Sequence, residues 1–164
     1  MNYGVDSEGV VLFHFFHDVY NGFYVDIGSY DPIFASNTLN LETMGWEGIN
    51  VDASPNRLPR FFYSRPWEPS INYAIGDEDV YLTLYELSED SSSTVSPKVK
   101  EFVKGYKGVV QEVKVPSISM KKLCERFFFR RPIFLNLDIE GYGSMALQSN
   151  DWNNPNCRPE IIFS

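Results

Sequence analysis

Apolar residues recur along the chain at two spacings, one typical of helices and one typical of buried strands. The segment from Val10 to Tyr20 has the helical spacing and ends at Asn21-Gly22, whereas residues 23–28 form a nearly continuous apolar run that ends at a glycine. The same alternation continues to the end of the chain. Helices are predicted over 36–44, from Ser54 to Arg65, from Ser119 to Phe127 and over 144–148, and strands over 46–51, 71–75, 109–115, 133–141 and 160–163.

The segment from residue 71 to residue 84 has the pattern of a β-hairpin. Residues 71–75 alternate between apolar and polar or small side chains, residues 77–79 are acidic and favour a turn, and residues 80–84 alternate again. The polar stretch 88–108 is rich in structure breakers, which predicts an irregular insertion. The strand that follows the insertion is expected to stop at Pro116, because proline has no N–H to donate.

Strands that alternate with helices predict an α/β fold with a doubly wound, mostly parallel sheet. We expect a single domain over residues 1–164, with an N-terminal helix within residues 1–21 and the irregular insertion at 88–108. Right-handed crossovers bring the carboxyl ends of parallel strands to one edge of the sheet, where ligands bind. We therefore looked for candidate site residues directly after the predicted strands.

The composition supports one domain and argues against some partners. The chain has 164 residues, of which 43% are hydrophobic, enough for a sizeable core. Its 14 basic and 22 acidic residues give a formal net charge of −8, which argues against nucleic acid or an anionic membrane as the main partner. The sequence shows neither an apolar run of the ~18 residues that span a bilayer nor a secretory signal, so we predict a cytoplasmic protein.

The chain contains two cysteines, Cys124 and Cys157. Two cysteines are too few for a disulfide framework or for a cluster of metal ligands. Cys124 falls on the apolar stripe of the helix that begins after Ser119, which predicts a buried and inert thiol. We therefore expect the cysteines to form neither a disulfide framework nor a metal site.

Acidic residues stand at or next to the carboxyl ends of the predicted strands. In a doubly wound sheet these carboxylates converge on one crevice, which is costly unless a cation or several hydrogen-bond donors lie among them. Any single acid of this kind is as often a helix cap or a turn residue, but their coincidence at strand ends favours a binding site. The acids concerned are Asp26, Asp31, Asp52, Asp77, Asp138 and Glu140.

The turn after the first strand indicates which cofactor the crevice suits. A nicotinamide dinucleotide needs the G-x-G-x-x-G spacing, so that backbone amides approach its pyrophosphate closely. Here Gly28 is followed by Ser29, an acid and Pro32, and the nearby acids repel phosphates. S-adenosylmethionine fits better, because it has an adenosine ribose and a sulfonium centre but no phosphate. Asp52, roughly 20 residues further on, is placed to accept the ribose hydroxyls.

Several short motifs follow one another in an order that is shared with one enzyme family. The first is Gly-Phe-Tyr-Val-Asp-Ile-Gly-Ser-Tyr-Asp-Pro at residues 22–32. The others are Ser36-Asn37-Thr38, Gly45-Trp46-Glu47-Gly48-Ile49, Arg65-Pro66, residues 72–76, Ser93-Thr94, Leu135-Asn-Leu-Asp-Ile-Glu-Gly141, residues 147–152 and Arg158-Pro159. In this order and spacing, the motifs resemble the FkbM-type S-adenosylmethionine-dependent methyltransferases over nearly the whole chain.

The resemblance implies a class I methyltransferase with a Rossmann-like fold. It also implies methyl transfer from S-adenosylmethionine to a hydroxyl of a sugar, a polysaccharide unit or another small natural product. By this resemblance, the cofactor site consists of a first motif after the first strand, an acid that binds the ribose and a segment beside the adenine. The residues concerned are Asp26, Gly28 and Ser29 in the first motif, Asp52 at the ribose, and Ala74, Ile75 and Asp77 beside the adenine.

Asp138 and Glu140 belong to the D-x-E-G signature of the family and are the candidate catalytic residues. Because they are two positions apart, an ideal strand points both to the same side. One acid would act as a base toward the acceptor hydroxyl, and the other would orient it or the substrate. In the alternative interpretation, Glu140 bonds to backbone amides of the Gly141 turn and takes no part in the chemistry. No metal site is expected, because the acids lack a defined ligand spacing.

Two features differ from the family pattern. Gly143 stands where the family usually has an acid, and the sequence stops on the apolar strand 160–163, apparently without the last two strands of a class I sheet. An exposed edge strand can pair with another chain, so a homo-oligomer through this strand is one expectation. These features leave two alternatives, a truncated, non-catalytic S-adenosylmethionine-binding remnant and a nucleotide-binding enzyme of another class on the same fold.

Overall fold

The computed structural model describes residues 8–76, 80–87, 93–95, 110–139 and 141–164. The helices in this part of the chain are α1 (Glu8–Phe16), α2 (Leu39–Thr43), α3 (Leu58–Ser64), α4 (Met120–Phe127) and α5 (Gly143–Gln148), with a 3-10 turn at Pro155–Cys157. The strands are β1 (Phe23–Ile27), β2 (Glu47–Asp52), β3 (Ser70–Asn72), β4 (Ala74–Ile75), β5 (Tyr81–Leu87), β6 (Ser93–Thr94), β7 (Val110–Ile118), β8 (Phe134–Leu137) and β9 (Ile161–Phe163). None of the described helices has the length and apolar character needed to cross a membrane.

Five strands form a parallel sheet in the order β3-β2-β1-β8-β9. The registers are parallel throughout, and Val25 in β1 lies between Ile49 of β2 and Leu135 of β8. Every residue of β1 is buried, as expected for a strand that is covered on both faces. The prediction of an α/β fold with a mostly parallel sheet is therefore confirmed.

Helices cover both faces of the parallel sheet. Successive residues of a strand point to opposite faces, so neighbouring residues of β1 pack against different helices. On one face, Val25 belongs to an apolar cluster that contains Leu123 of α4. On the other face, Tyr24 belongs to a second cluster that contains Phe16 of α1 and Leu41 of α2. The two clusters pack against the two faces of the sheet. The carboxyl ends of its strands remain available for a site.

A second sheet is mixed and has the order β4-β7-β5-β6. The predicted hairpin between residues 71–75 and 80–84 is wrong, because β5 pairs antiparallel with β7 and not with the strand before it. The stretch 71–75 itself divides into β3, in the parallel sheet, and β4, which pairs parallel with β7. Alternation along a segment indicates a strand, but it does not identify the partner strand when that partner comes from a distant part of the chain.

The strand β7 continues through Pro116 to Ile118, so the predicted end at the proline is also wrong. Pro116 lies opposite Tyr81 in the ladder between β7 and β5. The next N–H group, that of Ser117, donates to the carbonyl oxygen of Val80 at 2.9 Å. A strand accommodates a proline at a position where the ladder does not use its N–H.

Cys124 of α4 and Cys157 of the 3-10 turn form a disulfide bond. Both residues are buried, as predicted for Cys124, but the expectation of an inert thiol outside any disulfide is wrong. The two cysteines are 33 residues apart in sequence, and the fold brings them together by packing the turn before β9 against α4. The number of cysteines in a sequence does not show whether the fold brings two of them close together.

The strand β9 stands at one end of the parallel sheet and pairs with β8. Its central residue, Ile162, is 37% exposed. An edge strand with an apolar residue at the surface is suited to pairing with another chain. The homo-oligomer through this strand stays a prediction.

Candidate functional site

A cavity of about 490 Å³ opens at the carboxyl ends of β1, β2 and β8 and beside β4. Parallel α/β sheets bind ligands at this edge. The cavity wall contains seven of the nine residues that the sequence indicated, namely Asp26, Gly28, Ser29, Asp52, Ala74, Ile75 and Asp138. The other two, Asp77 and Glu140, lie outside the described residues. The roles assigned to these nine residues stay predictions.

The turn after β1 requires glycine at position 28. Gly28 has a φ of +80°, a conformation that is strained for residues with a side chain. A Cβ atom here would also overlap the backbone carbonyl oxygen of Asp138, just after the neighbouring strand β8. Gly28 therefore allows the ends of β1 and β8 to approach closely where both contribute to the cavity wall.

The N–H groups of this turn are bonded within the protein. Gly28 and Ser29 both donate to the carbonyl oxygen of Val51, at 2.9 and 3.2 Å. Tyr30 donates to Oδ2 of Asp52 at 2.9 Å. A phosphate-binding loop points such groups at its ligand instead. The turn therefore offers no amide cradle to a pyrophosphate, in agreement with its single glycine.

Asp52, the last residue of β2, is buried, and both of its carboxylate oxygens accept hydrogen bonds. Oδ1 accepts from the N–H of Ser54 at 2.8 Å, and Oδ2 accepts from the N–H of Tyr30 at 2.9 Å. Nη1 of Arg57 lies 3.4 and 3.2 Å from the two oxygens, and its guanidinium carbon lies 4.9 Å from the centre of the Tyr30 ring. These contacts use the four acceptor sites of a carboxylate. Among these contacts, those of Arg57 are the longest.

Asp26, in β1, is a buried residue of the cavity wall and holds two neighbouring side chains. Its Oδ1 accepts from Nδ2 of Asn136 at 2.8 Å, and its Oδ2 accepts from the hydroxyl of Thr38 at 2.8 Å. Burial raises the pKa of Asp26, although these two hydrogen bonds and the charge of Arg65 oppose the increase. Because both oxygens have partners, Asp26 is suited to orient Asn136 and Thr38 and not to contact a ligand directly.

Arg65 is 1% exposed and anchors the loop between β1 and α2. Its Nε lies 2.7 Å from Oε2 of Glu68, in an ion pair without hydrogen-bond geometry. Its Nη2 contacts the hydroxyl of Tyr24, which in turn donates to Oε1 of Glu68 at 2.6 Å. Toward the loop, Nη1 of Arg65 donates to the hydroxyls of Ser36 and Thr38, at 3.5 and 3.4 Å. A buried charge pair is tolerated when hydrogen bonds satisfy it in this way.

Asp138 follows β8 and is exposed at the cavity wall. Its N–H donates to the carbonyl oxygen of Ile27 at 2.9 Å, which extends the β1–β8 ladder by one residue. Partial burial raises the pKa of its carboxyl group. In contrast to Asp26 and Asp52, its carboxylate has no hydrogen-bond donor among the described residues, so its oxygens are available to a ligand.

Asp31 does not line the cavity, so the expected convergence of all the strand-end acids is wrong for this residue. Its Oδ1 accepts from the N–H groups of Ile33 and Phe34 at 2.9 and 2.8 Å, and its Oδ2 lies 2.8 Å from Arg60. Burial opposes its ionisation, but these donors together hold the pKa of Asp31 below its ordinary value. Asp31 is a turn residue whose hydrogen bonds stabilise the loop.

The remaining wall is mixed in character and extends beyond the nine candidate residues. Tyr73 and Leu84 provide apolar surface, and Ser93 and Thr94 provide hydroxyl groups. Further wall residues are Tyr30, Phe34, Asn37, Arg57, Asn136 and Tyr142. Across the described ranges, no three histidine, cysteine, aspartate or glutamate side chains form a group that would hold a metal ion.

Comparison with known proteins identifies the family. A family model described as the methyltransferase FkbM domain matches residues 26–164, a range that includes all the wall residues named above. No curated protein and no solved structure matches the chain significantly. The family model covers most of the sequence and supports a methyltransferase. The chain belongs to the FkbM methyltransferase family.

Proposed function

We propose that this domain is an S-adenosylmethionine-dependent O-methyltransferase. The observation that carries the proposal is the turn after β1, whose N–H groups at residues 28–30 are bonded to Val51 and Asp52 and not offered to a ligand. A site with acids on its wall and no phosphate cradle suits an adenosyl compound that is positively charged and free of phosphate. When bound, S-adenosylmethionine supplies an electrophilic methyl group on a sulfonium centre.

The order of the parallel strands supports the finer description of the fold as class I and Rossmann-like. Numbered along the chain, the strands of this sheet have the order 3-2-1-4-5, which is the beginning of the doubly wound order 3-2-1-4-5-6. In such sheets, the ligand lies at the point where the strand order reverses. Here that point is between β1 and β8, where Gly28 and Asp138 meet.

Different parts of the wall suit different parts of the donor. Ala74, Ile75 and Leu84 line the cavity and would offer apolar surface to an adenine ring, and Asp52 would hold the ribose hydroxyls. The amino-acid end of the donor would then lie toward β1 and β8, beside Asn136. The residues present therefore fit the cofactor that the family implies.

Binding of the ribose would require a rearrangement at Asp52. All four acceptor sites of this carboxylate are in use, two of them by Arg57. The N–H groups of Ser54 and Tyr30 belong to the turns that shape the wall, whereas Arg57 contacts Asp52 through its side chain and at longer distances. We propose that Arg57 leaves Asp52 when the ribose binds.

Asp138 is the residue best suited to accept the proton of the acceptor hydroxyl. Its carboxylate is exposed on the wall, and its pKa is raised by partial burial, which makes it a stronger base than an ordinary aspartate. Glu140, outside the described residues, keeps its predicted role beside it. The hydroxyl groups of Ser93 and Thr94 line the same cavity and suit a polar acceptor such as a sugar.

Calorimetric titration with S-adenosylhomocysteine tests the donor. We expect the wild-type protein to bind it and Asp52→Ala to lose the binding, whereas the control Asp18→Ala, at a side chain that is 84% exposed, retains it. Absence of binding to the wild-type protein at high micromolar ligand would contradict the proposal. Binding of NAD in its place would favour a nucleotide-dependent enzyme of another class.

Turnover is tested separately, with radioactive methyl groups and a panel of hydroxyl acceptors. Transfer of a methyl group to any acceptor would support the proposed O-methyltransferase activity. Binding of S-adenosylhomocysteine without transfer to any acceptor would favour the non-catalytic remnant.

The disulfide bond bears on the location of the protein. Disulfides persist in oxidising compartments and are rare in the cytosol, so the Cys124–Cys157 bond supports an oxidising compartment over the cytoplasm that the sequence predicted. We propose such a compartment. Alkylation of thiols in intact cells tests it: two blocked cysteines would support the cytoplasm, and two protected cysteines would support the proposal.

A further inference from the structure

One buried side-chain atom of a residue at the cavity wall lacks a hydrogen-bond partner among the described residues. Oδ1 of Asn37 is buried and accepts no hydrogen bond, and Asn37 lines the cavity. Buried acceptors without a donor are costly and rare in native proteins. The amide oxygens of Asn50 and Asn150 share this property, but neither residue lines the cavity. At Asn37, therefore, a bound ligand is able to bring the missing donor.

The orientation of the Asn37 amide follows from hydrogen bonds that begin at a carboxylate. Oδ1 of Asp26 accepts a hydrogen bond from Nδ2 of Asn136 at 2.8 Å, so the amide nitrogen of Asn136 faces Asp26. The amide oxygen of Asn136 then faces the nitrogen of Asn37, at 3.5 Å. This arrangement assigns the two atoms of the Asn37 amide, because its nitrogen has an acceptor and its oxygen is the atom left without a partner.

The backbone on either side of Asn37 is fixed. Ser36 and Thr38 both accept hydrogen bonds from buried Arg65, and the hydroxyl of Thr38 donates to Asp26. This buried network holds the loop in place on both sides of Asn37.

The place of Asn37 in the fold indicates which donor it meets. Asn37 and Asn136 lie at the reversal point between β1 and β8, one strand away from the ribose acid Asp52. The part of an adenosyl donor that extends beyond its ribose is the amino-acid end, whose ammonium group has three N–H donors and no acceptor. An oxygen that only accepts is complementary to this group.

We propose that Oδ1 of Asn37 accepts a hydrogen bond from the α-ammonium group of S-adenosylmethionine. This inference rests on the proposed function, and it adds a residue that selects donors by their amino-acid end. The hydroxyl of the methyl acceptor is another ligand group that would bring a donor to this edge. The experiment below distinguishes it from the ammonium group. Asn37 is in this view a binding residue, and Asp26, Asn136 and Arg65 position it.

The test compares two ligands that differ in one group, S-adenosylhomocysteine and its desamino analogue, by calorimetry on wild-type protein and on Asn37→Ala. We expect Asn37→Ala to weaken binding of S-adenosylhomocysteine about tenfold, since a hydrogen bond to a charged group contributes about 1.5 kcal/mol or more. Binding of the desamino analogue should be unchanged. Asn153→Ala, at an exposed asparagine outside the cavity, is the matched control and should leave both affinities unchanged.

Each other outcome overturns the inference. Equal loss of affinity for both ligands would show a structural role of Asn37 in the loop. Unchanged affinity for both, with an increased KM for a methyl acceptor, would assign Asn37 to the acceptor hydroxyl. If the wild-type protein bound neither ligand, the proposed function itself would fail, and this result is distinct from a failure at Asn37.

Discussion

The disulfide between Cys124 and Cys157 makes a prediction that requires no substrate. Reduction removes the covalent link between Cys124 and Cys157, which are the only cysteines in the sequence. The main consequence is that the unfolded chain loses a covalent loop and gains conformational entropy. We expect the reduced protein to fold to the same structure with a lower free energy of unfolding.

The size of the effect follows from the length of the loop. The cysteines are 33 residues apart, and the chain-entropy relation for a loop of this length gives a stabilisation of about 4 kcal/mol at 25 °C. A chain of 164 residues has an unfolding entropy near 0.3 kcal/mol per degree, so reduction should lower Tm by about 10 °C. Because Cys157 lies shortly before β9, the amide hydrogens of β9 should also exchange faster.

The assay is differential scanning calorimetry of the wild-type protein with and without reductant, beside the double variant Cys124→Ala/Cys157→Ala. The variant should melt at least as early as the reduced wild type, and reductant should not change its Tm. Titration of thiols in the denatured, unreduced protein should find none. Two free thiols, or melting temperatures of the oxidised and reduced wild type within about 2 °C of each other, would refute the reasoning.

Two further predictions concern the cavity wall. Arg57→Ala should strengthen binding of S-adenosylhomocysteine in a calorimetric titration, because the ribose then no longer has to displace Arg57 from its ion pair with the buried carboxylate of Asp52. Weaker binding would show that Arg57 contacts the ligand. Asp138→Asn should lower kcat by about 10²-fold or more at neutral pH without changing the affinity for S-adenosylhomocysteine. In the wild type, only ionised Asp138 acts as a base, and its pKa is raised by burial, so kcat should rise with pH through a value above the ordinary aspartate range. A kcat–pH profile without this limb, or one that Asp138→Asn leaves unchanged, would exclude Asp138 as the base.

The parallel sheet was predictable because the information for it is local. Each of its central strands is a short apolar run that is buried on both faces and ends at a glycine or an acid, as in residues 23–28 and 46–52. The second sheet was not predictable in the same way. Its central strand β7, which follows the long insertion in sequence, lies between β4 and β5. No pattern within residues 71–84 indicates that a distant strand separates the two halves of the expected hairpin.

The residues of the candidate site also fall into those that local sequence predicts and those that depend on long-range packing. Residues that face the cavity because they end a strand, such as Asp52 and Asp138, follow from the strand assignments. Arg57 and Asn37 face it because α3 and the loop before α2 fold back over the strand ends, and sequence spacing does not describe that approach. The bond between Cys124 and Cys157 depends on the same kind of long-range packing.

The structure also changes the electrostatic argument for the ligand. From the sequence, a rim of acids would attract a cation by its net charge, but Asp26 is satisfied by Thr38 and Asn136, and Asp52 is paired with Arg57. Phosphates are disfavoured chiefly because the amides of the turn are already bonded, and less because of charge. Among the wall atoms described above, the acceptors left without donors are the carboxylate of Asp138 and the amide oxygen of Asn37. Since both groups accept and neither donates while Asp138 is ionised, the ligand that completes this wall must bring hydrogen-bond donors on both sides of the reversal point. An ammonium group and an acceptor hydroxyl, held on either side of the methyl group, meet that requirement.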